Sequence, residues 1–214
     1  MPTLTRTEPE VRSSHLRAFR LPAVGAADRV ALVPEGAVLL AGDHVTVSVR
    51  VPSGRTLELV EPGGTVAYAM RGARARWDVS VVVEAGARLV WHGEPFVVAE
   101  GADVDRTLTA ELGSRAALVL RETLVLGRSG ERPGRLRTAT RVTRAGSPLL
   151  VEDLDCATGL GPHRVLDQVL RVGTAARPGE HALLLDSGDV LDRWLGAWAH
   201  ESPLRAGQSS ARPE

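Results

Sequence analysis

Asp43-His44-Val45-Thr46-Val47-Ser48-Val49-Arg50-Val51 alternates without a break, setting Val45, Val47, Val49 and Val51 on one face and His44, Thr46, Ser48 and Arg50 on the other. A period of two is that of an extended strand with one face buried and one in water. The same texture recurs outward from this stretch in Trp77 to Val83, Leu89 to Trp91, Phe96 to Val98, Thr107 to Leu112 and Ala116 to Leu126. Gly or Pro separates most of these runs, as expected between short strands. From about Val11 to about Asp155 the chain reads as mostly β.

Gly36, Gly54, Gly86 and Gly113 each precede a new strand by about three residues, where a positive φ at a corner favours glycine. Their spacing is unequal, which argues against a strict solenoid and for a sandwich or an irregular stack of strand-turn-strand layers. The texture changes after Cys156. Pro162 to Leu170 fits a short helix or a strand equally. In Asp189 to His200 the apolar positions Val190, Leu191, Trp194, Leu195 and Trp198 recur at helical spacing, so an amphipathic helix is predicted, capped by Asp189 or Ser187. Residues 205–214 are Ser, Gly, Pro and charge, the composition of a disordered tail. One mostly β domain over residues 1–204, stacked or β-helix-like, with one or two C-terminal helices, is the expected architecture.

At roughly 100–200 residues per domain, 214 residues suffice for a core without staples. The single cysteine, Cys156, can form no internal disulfide, so a secreted disulfide scaffold is excluded and a reducing cytoplasm is expected. The first residues lack an apolar core and no stretch approaches the ~20 apolar residues of a span, so a soluble, untargeted protein without membrane contact is expected. Twenty-six basic and 26 acidic residues balance, and only seven residues are aromatic, which disfavours nucleic-acid binding. Every basic residue is Arg, and Lys, Asn and Ile are absent, as a GC-rich genome would impose, so Arg here is no signature of phosphate recognition. The charge is nonetheless uneven. Arg121 to Arg144 holds seven Arg against Glu122 and Glu131, while Ala145 to Leu204 holds nine acids against four Arg, a dipolar surface suited to protein partners.

Catalytic signatures are missing: no GxSxG elbow, P-loop, GxGxxG or HExxH occurs. The six His never pair as HxH or HxxxH, so no local chelate is preset. Glu152-Asp153-Leu154-Asp155-Cys156, with His163 following, offers carboxylate, thiol and imidazole, a mixture that divalent nickel tolerates. Asp153, Asp155, Cys156 and His163 are therefore candidate ligands; a solvated acidic strand end with a buried cysteine is the plainer reading. For Gly42-Asp43 the plainer reading is an aspartate closing a turn, and for Trp91-His92-Gly93-Glu94-Pro95 it is corner packing.

Four segments in order resemble the motifs of the urease accessory protein UreD (UreH) family. They are Leu39-Leu40-Ala41-Gly42-Asp43-His44-Val45, Gly86 to Phe96, Leu126-Gly127-Arg128-Ser129-Gly130-Glu131, and Gly134-Arg135-Leu136-Arg137-Thr138. The likeness spans about Val30 to Asp155, and departs at Glu61 to Tyr68, where the family usually has a Thr-Thr-rich turn. It implies a non-enzymatic chaperone with a β-helix-like stack and a few helices. It also implies binding to UreF and through it to the GTPase UreG, docking on apo-urease, and delivery of nickel that is not tightly held. The motif positions carried over as a functional surface are Gly42, Asp43, Gly127, Arg128, Gly130 and Glu131. Trp194 and Trp198 are partner-binding candidates, since Trp is a favoured interface anchor. A β-sandwich ligand-binding module is the alternative, and a metal-dependent barrel enzyme the third.

Overall fold

A computed structural model describes residues 8–175 and 178–205; the expected tail, apart from Arg205, lies outside them. Two strands, β1 (Glu10–Ser13) and β2 (Leu16–Val24), lead into four coils. The first runs from β3 (Ala27–Pro34) to β4 (His44–Val51), and the second from β5 (Thr56–Val60) and β6 (Thr65–Ala67) to β7 (Ala75–Val83). The third runs from β8 (Arg88–His92) and β9 (Phe96–Val98) to β10 (Asp103–Leu112), and the fourth from β11 (Ala117–Leu126) to β12 (Arg135–Arg144). Each coil lays one strand line in each of two facing sheets, all parallel to the coil before it. The alternation of Asp43 to Val51 is realised in full, with Val45, Val47, Val49 and Val51 buried against the facing sheet. Each such Val removes apolar area worth about 2 kcal/mol from water.

The stack is solenoid-like, and its repeat is more regular than the glycines suggest. Thr56 stands beside Arg88, and Arg88 beside Ala117, so one coil spends roughly thirty residues. The equivalent corner positions are Gly54 (φ 71°), Gly86 (φ 66°) and Arg115 (φ 57°). The third corner bears a side chain in the left-handed region, which hides the period from a search for glycine. Gly113 serves a different need: a Cβ there would meet the backbone nitrogen of Ala85 at 2.5 Å.

After β12 the chain reverses through Ala145 and Gly146 into β13 (Ser147–Asp155), antiparallel to it. A one-turn helix, α1 (Cys156–Gly159), then leads to β14 (Val165–Val172), β15 (Ala182–Leu184) and β16 (Val190–Gly196). These close the stack: the six-stranded sheet ends at β13 and the ten-stranded sheet at β14, β16 and β15. Pro162 to Leu170 is thus resolved in favour of strand.

The predicted C-terminal helix is corrected to strand. Asp189 to His200 forms β16 and then a 3-10 turn at Ala199–Glu201. Neighbouring apolar residues at Val190 and Leu191 satisfy a strand that is covered on both faces as well as they satisfy a helix. Pairing with β14 decided between them. Ser187 and Asp189, expected as caps, instead hold the preceding turn: Ser187 Oγ donates to Asp189, and Asp189 accepts from Gly173 N–H at 2.8 Å. Among the described residues no helix is long and apolar enough to cross a membrane.

Candidate functional site

The motif residues lie along one ridge of corners. Backbone bonds run down this ridge from Tyr68 N–H to Leu39, from Ala99 N–H to Ala67 and from Gly127 N–H to Val98. At one end the Asp43 carboxylate accepts from Leu40 N–H at 2.8 Å beside Gly42 (φ 85°), the turn-closing geometry. At the other, Glu131 accepts from Arg128 N–H (2.9 Å), Arg128 Nε (2.8 Å) and Glu100 N–H (3.2 Å). These bonds, led by that from the Arg128 guanidinium, hold its carboxyl at about 2. Glu100 in turn accepts from Arg132, so third and fourth coils are stitched reciprocally. Gly127 (φ 79°) is required by close approach, since a Cβ would meet the Arg132 carbonyl at 2.6 Å; Gly130 (φ 78°) is open. Leu40 and Tyr68 stand exposed on the same ridge.

The two tryptophans differ in exposure. Trp194 is half-buried, its ring filling the space that a side chain at Gly196 would need. Trp198 is 47% exposed and stacks on His200 with centroids 6.5 Å apart. The segment that follows is anchored by Ser202, whose hydroxyl donates to buried Asp167; Asp167 also accepts from Arg121 and Thr123.

The candidate ligands do not come together. Asp153 pairs with Arg141, Asp155 caps α1 by accepting from Ala157 N–H, and His163 is exposed on the following loop. Cys156 is buried, and that burial pushes its thiol up to about 12, an inert form. Among the described residues no group of three or more His, Cys, Asp and Glu is arranged to hold a metal ion.

What the sequence reading missed lies between the sheets. Arg106 of β10 pairs with Glu122 of β11; Glu122 accepts from Gln168 Nε2 at 3.0 Å; Gln168 Oε1 accepts from Arg193 Nη2 at 2.7 Å. Arg193 completes the line with two 2.7 Å bonds to Glu152 of β13, crossing back to the first sheet. Thr138 and Thr140, both buried, add hydroxyls to the inner face of β12. A signal existed: each of the five takes the centre of an inward apolar row. The rows are Val104-x-Arg106-x-Leu108, Leu120-x-Glu122-x-Leu124, Leu150-x-Glu152-x-Leu154, Leu166-x-Gln168-x-Leu170 and Leu191-x-Arg193-x-Leu195. Removing such charges from water is costly, and only mutual pairing offsets it.

This polar seam nears the surface where the ten-stranded sheet is interrupted. β8 matches β11 as far as Arg121 and β9 resumes opposite Leu124, leaving Glu122 and Thr123 at the gap. A cavity of about 30 Å³, lined by Glu61, Trp77, Trp91, Phe96, Arg106 and Glu122, fills it, room for about one water. Glu61 accepts from Trp91 Nε1 at 2.7 Å and from Glu94 N–H at 3.1 Å; burial, the larger influence, lifts its carboxyl above the usual range. Arg106 lies 5.6 Å from the Phe96 ring centroid, and its Nε has no hydrogen-bond partner among the described residues.

A family model described as UreD urease accessory protein matches residues 14–210. Urease accessory protein UreD 1 of Streptomyces griseus is 43% identical over 87% of this chain and 85% of its own length. UreD 2 of Saccharopolyspora erythraea is 35% identical over 75% of this chain, and UreD of Streptomyces coelicolor 35% over 72%. The match covers 60% and 66% of those two relatives, less than two thirds of either.

Proposed function

The chain belongs to the UreD urease accessory protein family, and from that premise we propose that it serves urease maturation as a non-catalytic scaffold that helps nickel reach apo-urease. Its partners on this reading are UreF, the GTPase UreG through UreF, and apo-urease; the GTPase supplies hydrolysis, and this chain supplies surfaces and a polar interior. With one cysteine, buried and reduced, the compartment we assign it is the cytoplasm.

The seam carries the proposal. Five strands spend their central inward position on a polar side chain where Leu or Val would pack, and a fold seeking only stability has no use for that. Carboxylate and amide oxygens in line are weak ligands for a borderline cation, which suits cargo that must be released; a closed thiolate or imidazole site would retain it. The cavity beside the seam has room for a water and for no organic ligand. Exposed Leu40, Tyr68 and Trp198 offer apolar anchors for partner chains.

The test is reconstitution. Urease genes expressed without this chain should give apo-urease of low activity, and supplying the chain should restore activity and bring UreF and apo-urease down with a tag placed on it. Full activation in its absence would remove the proposed role.

A further inference from the structure

Arg106 and Arg193 balance Glu122 and Glu152, with neutral Gln168 between them, so the seam as built has no net charge. The Arg106–Glu122 pair is about nine-tenths buried, its side chains 10% and 7% exposed. At such depth a dication beside a guanidinium meets repulsion that water no longer screens. We propose that the two arginines are resident counter-ions that keep the seam closed, and that a divalent cation enters only by displacing a guanidinium from its carboxylate. This inference rests on the reading of the seam as a cation path.

The surroundings of Arg106 provide for the displacement. Arg106 and Glu61 line the same cavity, and the Arg106 Nε has no hydrogen-bond partner among the described residues. The Phe96 ring beside it favours a cation on its face. Glu61 thus offers a second carboxylate toward which Arg106 can turn while Glu122 is given up to the metal. The exchange gives each carboxylate one cation, the dication taking Glu122 and the guanidinium taking Glu61, and leaves one positive charge in excess, which keeps the metal weakly held. At the far end Arg193 is held by two hydrogen bonds to Glu152 and by Gln168, whereas Arg106 keeps an unpaired Nε, so Arg106 is the gate that opens first.

The test measures nickel(II) binding to the isolated full chain by equilibrium dialysis, with folding followed by circular dichroism. Arg106→Gln uncovers Glu122 and is expected to tighten nickel binding by about tenfold, about 1.4 kcal/mol. Arg106→Gln combined with Glu122→Gln is expected to return affinity to the wild-type level. Arg106→Lys keeps the charge on a stem with fewer matched donors, so it should tighten binding by a smaller factor of about three. Should Arg106→Gln fail to fold, the lysine variant decides. Unchanged or weaker nickel binding in the folded variants overturns the gate. Failure of the path itself reads differently: tightened binding in Arg106→Gln, with urease activation indifferent to the loss of Glu122 and Glu152, would leave a guarded carboxylate that is not on the route.

Discussion

Arg193 of the ten-stranded sheet donates two hydrogen bonds of 2.7 Å to Glu152 of the six-stranded sheet, a bidentate pair that ties the last layer of the stack across its interior. Replacing Glu152 with Ala leaves a half-buried guanidinium with only Gln168 to satisfy it. Glu152→Ala is expected to cost about 2 kcal/mol, the scale of a charged hydrogen-bonded pair. A calorimetric Tm lowered by about 4–8 °C would register it, and an unmoved Tm would show that Arg193 finds solvent instead.

Glu131 should make the fold acid-sensitive. Its carboxyl sits near 2, below its ordinary value of 4.5, so its stabilising contribution is complete above that ordinary value and is lost as pH falls toward 2. Urea midpoints measured from pH 5 to pH 2 should fall more steeply for the wild type than for Glu131→Gln. Parallel slopes would mean that the bonds to Arg128 and Glu100 contribute nothing to stability.

Trp198 and Trp194 should respond differently to truncation. Trp198, nearly half exposed, is expected to tolerate Ala with a stability change within about 1 kcal/mol, while partner binding weakens by about 2 kcal/mol. Trp194→Ala should lower stability more, because its ring packs over Gly196. Melting curves and pull-down on both variants separate the roles; a destabilised Trp198→Ala with unaltered partner affinity would take Trp198 out of the interface.

Wild-type nickel affinity should be micromolar or poorer, about −8 kcal/mol or less favourable, because the seam's carboxylates are occupied and Cys156 stays protonated. Equilibrium dialysis giving a nanomolar Kd at a single site would contradict a transit role.

The β class was legible because Asp43 to Val51 and its neighbours alternate cleanly, and alternation survives any tertiary context that buries one face. The period of the stack was not, because Arg115 takes the left-handed corner that Gly54 and Gly86 mark in the preceding coils. Val190 to Trp198 misled for a different reason: a strand covered on both faces has no alternation, so its apolar pairs imitate a helix. Asp43 was readable as a turn-closing residue from local chemistry alone. The seam was not read, because Glu122 and Gln168 stand in strands with apolar residues on both faces, so the inward rows Leu120 to Leu124 and Leu166 to Leu170 that mark them do not stand out.

Urease activation by the Glu122→Gln, Glu152→Gln double variant tests most directly whether the interior is the working part of this protein. Both substitutions keep side-chain length and one acceptor oxygen while removing the charges that hold a cation. With the protein folded and UreF and apo-urease still recovered in pull-down, activation is expected to fall by about tenfold or more, and activation at the wild-type level would contradict a nickel path through the seam.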